Sequence, residues 1–357
     1  METPASEPRT ATPGSIELGL DTFGDITLDA GGAPKHAAHV IRDVVEQAVL
    51  ADRLGLDYFG VGEHHRDDFA ISSPDMVLAA IAGQTERIHL GSAVTVLSSD
   101  DPIRGFQRFS TLDAVSHGRA EVILGRGSFT ESFPLFGFDL ANYEELFEEK
   151  LELFNELRKQ GPVSWSGNTR PALHSQMVYP HTESGTLKSW VAVGGSPQSV
   201  VRAAHYGMPL MLAIIGGEPL QFAPFAELYH RALQEFGQPE QPIGVHSPGH
   251  LAETDEQALE ELWPHYAAMH NRIGRDRGWP PLSRDEFNAT AGPRGALMVG
   301  SPETVANKIT TVAKALGLSR FDLKYSHGTL PHEAMMKSIE LYATDVAPRV
   351  RANLAKG

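Results

Sequence analysis

At 357 residues the chain is long enough to bury one large core. Its 45 acidic against 30 basic residues give a formal charge of −15, which sets it against phosphate backbones and anionic membrane surfaces, so neither nucleic acid nor a membrane is expected as a partner. There is no cysteine, which excludes disulfides, thiolate metal ligands and a cysteine nucleophile and leaves His, Asp, Glu, Arg, Tyr or a bound cofactor to carry chemistry.

No apolar run reaches the ~18 residues of a membrane span, and the Pro-, Thr- and Ala-rich start lacks the apolar centre of a signal peptide. The expectation is a cytoplasmic protein with a loose tail over residues 1–15, followed by one domain over 16–357. From residue 16 onward short apolar runs alternate with amphipathic stretches, the pattern of a parallel sheet covered by helices. The first strand is read at Ile16–Phe23. A helix comes next, in which Ala37, Ile41, Val44, Val45, Ala48, Ala51 and Leu54 recur at helical spacing until Gly55 stops it.

The second strand is Asp57–Gly62. Ser73-Pro74 opens the next helix, and a third strand runs Ile88–Leu97. Asp101-Pro102 starts a helix to about Ser116, and Ala120–Leu124 is the fourth strand. Irregular chain surrounds a helix at about 142–159 and continues through 161–187. Strands at Trp190–Val193, Leu210–Ile215, Ile243–His246 and Phe321–Tyr325 complete the set, with helices from Ser196-Pro197, near 222–236 and at about 331–346. Residues 255–315 form an insertion of about two helices, a candidate lid. Eight βα units without a Gly-rich dinucleotide fingerprint predict a (β/α)8 TIM barrel with insertions.

In such a barrel reactive groups sit where strands end. Strand two ends in Glu63-His64-His65. If Phe59 and Val61 face the helices, then Tyr58, Gly60, Gly62 and His64 face the axis, and the two glycines leave room for a planar ligand beneath His64. The competing reading is a histidine held by packing and a hydrogen bond. No metal is expected there, because neighbouring residues of an extended strand point to opposite faces.

The small residues of Gly91-Ser-Ala-Val-Thr-Val-Leu97 allow close approach of a flat ring or merely satisfy packing. Arg126, between Gly125 and Gly127, can reach a phosphate or pair with a surface carboxylate. Gly194-Gly195-Ser196-Pro197 exposes backbone N–H groups at a helix start, which makes a phosphate site or an ordinary cap. Phe129 and Phe133 are pocket-lining or core residues. Together these describe a ligand of mononucleotide size.

At these residues the sequence resembles the luciferase-like monooxygenases. Glu63-His64-His65, Gly91–Leu97, Pro102-Ile-Arg104, Leu112-Asp113, Ser116-His-Gly-Arg119 and Leu124-Gly-Arg-Gly127 fall in that family's order and spacing. The resemblance returns at Val193–Pro197 and Val299–Val305. It implies a bacterial-luciferase-like barrel with FMN across its C-terminal mouth, and a homodimer through helices two and three. His64 matches a catalytic or flavin-adjacent histidine, and Ala93-Val94 matches a pair joined by a cis peptide under the flavin ring. Arg126 and Gly127 match a flavin or phosphate contact, while Gly195, Ser196 and Ser199 match the phosphate-binding turn, with Gly195 standing where bacterial luciferase has an acidic residue.

The implied activity is oxidation of a small aldehyde-like or heteroatom-containing molecule by O2 and reduced FMN; because no nicotinamide fingerprint is visible, the reduced flavin is expected from a separate flavin reductase. A related branch uses the deazaflavin F420 and often carries a Trp four residues past the strand-two histidine. Asp68 stands there, which favours FMN. An F420-dependent hydride transfer, a flavin-binding protein without turnover and a metal-dependent hydrolase are the alternatives.

Overall fold

Alternation along each strand decides what fills the axis of this molecule and what faces its helices. The computed structural model describes residues 16–29 and 31–356; the expected tail, 1–15, lies outside the described residues. Eight strands, β1 (Glu17–Thr22), β2 (Tyr58–Val61), β3 (His89–Ser92), β4 (Ala120–Gly125), β5 (Lys188–Val193), β6 (Leu210–Ala213), β7 (Ile243–Leu251) and β8 (Arg320–Lys324), pair in that order, all parallel. β8 pairs with β1, which closes the barrel.

Phe59 and Val61 join the large core between barrel and helices, whereas Tyr58 packs with Ile123, Trp190 and Met211 inside the barrel. The expected strand parity therefore holds. These large axial side chains lie over glycines of neighbouring strands. A methyl group on Gly91 would sit 2.7 Å from the Tyr58 hydroxyl, and one on Gly244 would sit 2.6 Å from Cε of Met211.

The floor of the barrel is charged. Arg320 is fully buried between the faces of Tyr58 and Trp190, 4.3 and 4.6 Å from their ring centres. It donates to Glu121 at 2.8 and 2.9 Å and to Glu17 at 2.7 Å, while Trp190 and Lys188 donate to Glu121 at 2.9 and 3.0 Å. Burial alone would raise the Glu121 carboxyl, but the charges of Arg320 and Lys188 and the hydrogen bond with His89 outweigh it and hold the group well below the usual carboxylate range.

Three expected elements differ. Strand three is broken: β3 stops at Ser92, the Ala93–Val94 peptide is cis, and Thr95–Val96 then pairs with the end of β4 before a 3-10 turn, Leu97–Ser99. Ala93 and Val94 occupy the notches left by Gly60 and Gly125, where a methyl group would lie 2.9 and 2.6 Å from their side chains. Residues 255–315 hold three helices, Asp255–Arg277, Arg284–Ala291 and Pro302–Leu316, with a short strand, Met298–Gly300, added to the end of β7. The last helix, which contributes Val305, Ile309 and Val312 to the core, is the ordinary barrel helix between β7 and β8. The stretch 161–187, expected to be irregular, contains an antiparallel pair, Val163–Trp165 with Leu173–Gln176. The final helix, His332–Leu341, passes through a π-turn into Ala347–Ala355.

Replacing Glu121 with Gln leaves Arg320 buried beside an amide that cannot neutralise it. A loss of roughly 3 kcal/mol in denaturant unfolding is expected. Because the folded carboxyl titrates below its unfolded value, the wild-type contribution is complete at neutral pH and fades as pH falls through the acid range, so the two proteins should converge in stability under acid.

Candidate active site

The C-terminal ends of β2 to β5 converge on one mouth. Beyond β2 the chain stays extended to His64, whose backbone N–H donates to Ile71 at 3.0 Å. The imidazole meets Phe23 and Phe129 edge-on at 5.0 and 4.6 Å and lies tilted on Phe69 at 4.4 Å. Its Nδ1 lies 3.2 Å from Oε1 of Glu131, in the loop after β4. Burial pushes the Glu131 carboxyl up, but its hydrogen bonds with His64 and the N–H of His65 more than offset this and hold it below its ordinary value. With Nδ1 engaged by a carboxylate, Nε2 of His64 is the free nitrogen.

The glycines beneath His64 do not leave a slot for a ligand. A methyl group on Gly62 would press into the Phe23 ring and lie 2.6 Å from the Ala93 carbonyl oxygen, so the missing side chain is filled by neighbouring protein. Val94 continues this floor toward β5, packing with Ala192 against the axial cluster of Tyr58, Ile123, Trp190 and Met211.

The phosphate-type residues gather on the other side of the mouth. Arg126 lies over Tyr143 at 5.5 Å and pairs with Glu144. Glu144 also approaches Arg202 at 3.7 Å, and Arg202 donates to the buried Ser199 hydroxyl at 3.4 Å. Arg126 and Ser199 are thus joined through one carboxylate, itself 64% exposed and easily displaced. Gly127 has φ +76°, a conformation that favours glycine, and its carbonyl accepts from the Tyr143 hydroxyl at 2.8 Å. Gly194 and Gly195 are exposed, and a methyl on either would meet nothing within 4 Å. Ser196 begins helix Pro197–His205 without a side-chain cap; its hydroxyl hydrogen-bonds Gln198 at 2.9 Å. Open space beside uncapped N–H groups and a nearby guanidinium is a donor set that fits a phosphate.

Sequence reasoning missed Glu131, Phe23, Phe69 and Arg202. Of the two aromatics singled out, Phe129 reaches His64, whereas Phe133 is fully buried and stacks on Tyr143. Among the described residues one trio could offer metal ligands at short range, Asp43 and Glu46 on helix Ala37–Leu54 and His332 at the start of helix His332–Leu341, where Lys35 already engages Asp43 and Gln47 engages His332.

A closed parallel barrel that carries His64 and the 194–199 turn at the C-terminal ends of two of its strands has the architecture of a barrel enzyme, whose working groups sit at that end. The chain belongs to the luciferase-like monooxygenase family, which it matches over residues 22–320, and is an oxidoreductase of that family. It is 28% identical over 323 residues to 4-hydroxyprotoasukamycin monooxygenase of Streptomyces nodosus subsp. asukaensis, covering 87% of each chain. In fold it is similar to the oxygenating constituent of 3,6-diketocamphane monooxygenase from Pseudomonas putida, solved with FMN (TM-score 0.75, 20% identity, 94% and 99% of the two chains). It is also similar to the F420-dependent tetrahydromethanopterin reductase of Methanopyrus kandleri (TM-score 0.70, 17% identity, 94% and 99%). No helix among the described residues is long and apolar enough to cross a membrane.

Glu63 turns away from the mouth and accepts from the Val96 N–H at 2.6 Å. Burial pushes its carboxyl up to about 7. A raised folded value means that its contribution to stability is present below the unfolded carboxylate range and is lost as pH rises through about 7. Glu63→Gln keeps the acceptor and removes the charge, so its melting temperature should gain on wild type between roughly pH 5 and pH 8. Parallel melting curves that stay a constant distance apart across that range count against this assignment.

Proposed function

We propose that this chain is a flavin-dependent monooxygenase that uses reduced FMN and O2 to oxidise a small organic substrate. The observation that carries the reading is the convergence of His64, the Ala93–Val94 turn, Arg126 and the 194–199 turn on one mouth. Arg126, the Gly195 and Ser196 backbone and Ser199, with Arg202 behind it, would hold the phosphate, and Ala93 and Val94 would bed the ring. Reduced FMN, when bound, supplies the electrons that activate O2. The protein's own work is to orient that group, exclude water with Phe23, Phe69 and Phe129, and hold or move a proton at Nε2 of His64, whose orientation Glu131 fixes.

Helix Asp255–Arg277 acts as the lid. It is tied to the loops after β2 and β4 by Arg66 to Asp276 at 2.8 Å, by Arg272 to Asp67, and by Arg277 to the Ser128 carbonyl at 2.8 Å. Ion pairs between such exposed groups are readily broken, which suits a cover that must open. The chain works as a homodimer through helices Pro74–Ala82 and Pro102–Val115, which expose Met76 and Val115, and receives reduced flavin from a separate reductase.

FMN and F420 titrated side by side, monitored by absorption and fluorescence, should show binding of FMN in preference to F420; the reverse preference overturns the cofactor assignment. Arg126→Ala should weaken FMN binding by about tenfold or more, the cost of losing a charge-assisted contact. His64→Ala should keep FMN affinity and lower substrate-dependent O2 consumption by about a hundredfold. An unchanged rate in that variant removes His64 from the reaction.

A further inference from the structure

Phe23, which meets His64, also contacts a second histidine to which the proposed function assigns no role. His246 lies on β7 with the axis-facing parity of Gly244. Its Nδ1 is 2.6 Å from Oδ2 of Asp21 on β1, a carboxylate only 1% exposed whose Oδ1 has no hydrogen-bond partner. With Nδ1 engaged by this carboxylate, Nε2 is the ring nitrogen left for a ligand. The His246 side chain is 14% exposed and stacks on Phe23 at 6.2 Å, the ring that meets His64 edge-on at 5.0 Å.

Two imidazoles, each fixed at Nδ1 by a carboxylate, therefore open on one mouth lined by Phe23, Phe69 and Phe129. The other charged groups packed around His246 leave Asp21 as its counter-charge. Asp322, its register partner on β8, has its carboxyl pushed well up by burial, and Lys324, over the Phe23 ring at 5.0 Å, is held by Asp25 at 3.0 and 3.1 Å.

We propose that the Asp21–His246 pair is the base that ionises an acidic hydroxyl of the substrate, and that the substrate is a phenol or enol. The proton passes from the hydroxyl oxygen to Nε2, leaving an oxyanion on the substrate and an imidazolium whose charge the Asp21 carboxylate balances. A planar, aromatic-walled mouth suits a conjugated ring. A hydroxyl of phenolic acidity, ~10 in water, lies within reach of a carboxylate-backed imidazole, and an aliphatic alcohol does not. The oxyanion is the electron-rich form that oxidants attack. This inference rests on the flavin-oxygenation reading only for the oxidation of that oxyanion; the proton transfer itself needs neither flavin nor O2.

The test uses 4-nitrophenol, whose phenolate is yellow, titrated into the full-length protein across pH. In wild type the bound probe should ionise at least about one pH unit below the free probe. That shift should disappear in His246→Gln and Asp21→Asn, with circular dichroism and FMN binding checked in both. Should Asp21→Asn fail to fold, His246→Gln decides alone. The proposal is overturned if the probe does not bind, if it ionises in the bound state as it does free, or if His246→Gln retains the full shift. A shift seen in a protein that binds no FMN supports this site and refutes the cofactor reading, so the two failures are separable.

Discussion

A guanidinium buried on the barrel axis is tolerable only with its charge and its donors fully met, and the Arg320–Glu121 pair meets them. Glu17, Lys188, Trp190 and Tyr58 complete that layer and plug the N-terminal end. The next layers then fill by exchange of size, with Tyr58, Trp190 and Met211 reaching over glycines of adjacent strands. Above these layers, at the C-terminal end, lie the short side chains of Ala93, Val94 and Ala192.

Much of this order was legible in the chain. Helices begin and end on residues with a physical meaning: Gly55 in the left-handed conformation closing its helix, and Asp101 accepting from the N–H groups of Ile103 and Arg104 ahead of Pro102. Period-two alternation then told which side of β2 faced the axis and placed His64 on the mouth. Pattern alone reads Gly91 to Leu97 as one apolar strand and does not show the break at Ala93–Val94, whereas the cis peptide that the family resemblance implied there is present. The break depends on notches supplied by Gly60 and Gly125 on other strands. The same limit applies to function. Glu131 sits in a stretch without periodicity, and Asp21 and His246 are 225 positions apart, brought together only when the barrel closes.

The glycines under His64 show how a correct placement can carry a wrong physical reason. An axis-facing glycine near a strand end is compatible with a ligand slot or with close packing of protein on protein. Only the neighbour decides, and here it is the Phe23 ring. That ring touches both imidazoles, meeting His64 edge-on and stacking on His246.

Charge at the rim runs against charge overall. The chain carries −15, yet Arg66, Arg126, Arg202, Arg272 and Arg277 ring the mouth. Four of them pair with carboxylates, and Glu144, Asp276 and Asp67 among these are 64, 58 and 87% exposed, where solvent weakens the bond and a competing anion can take the carboxylate's place. A single phosphate entering near Arg126 exchanges one such partner for a better one. On the reading proposed above, such a rim suits a ligand that ends in one compact negative group.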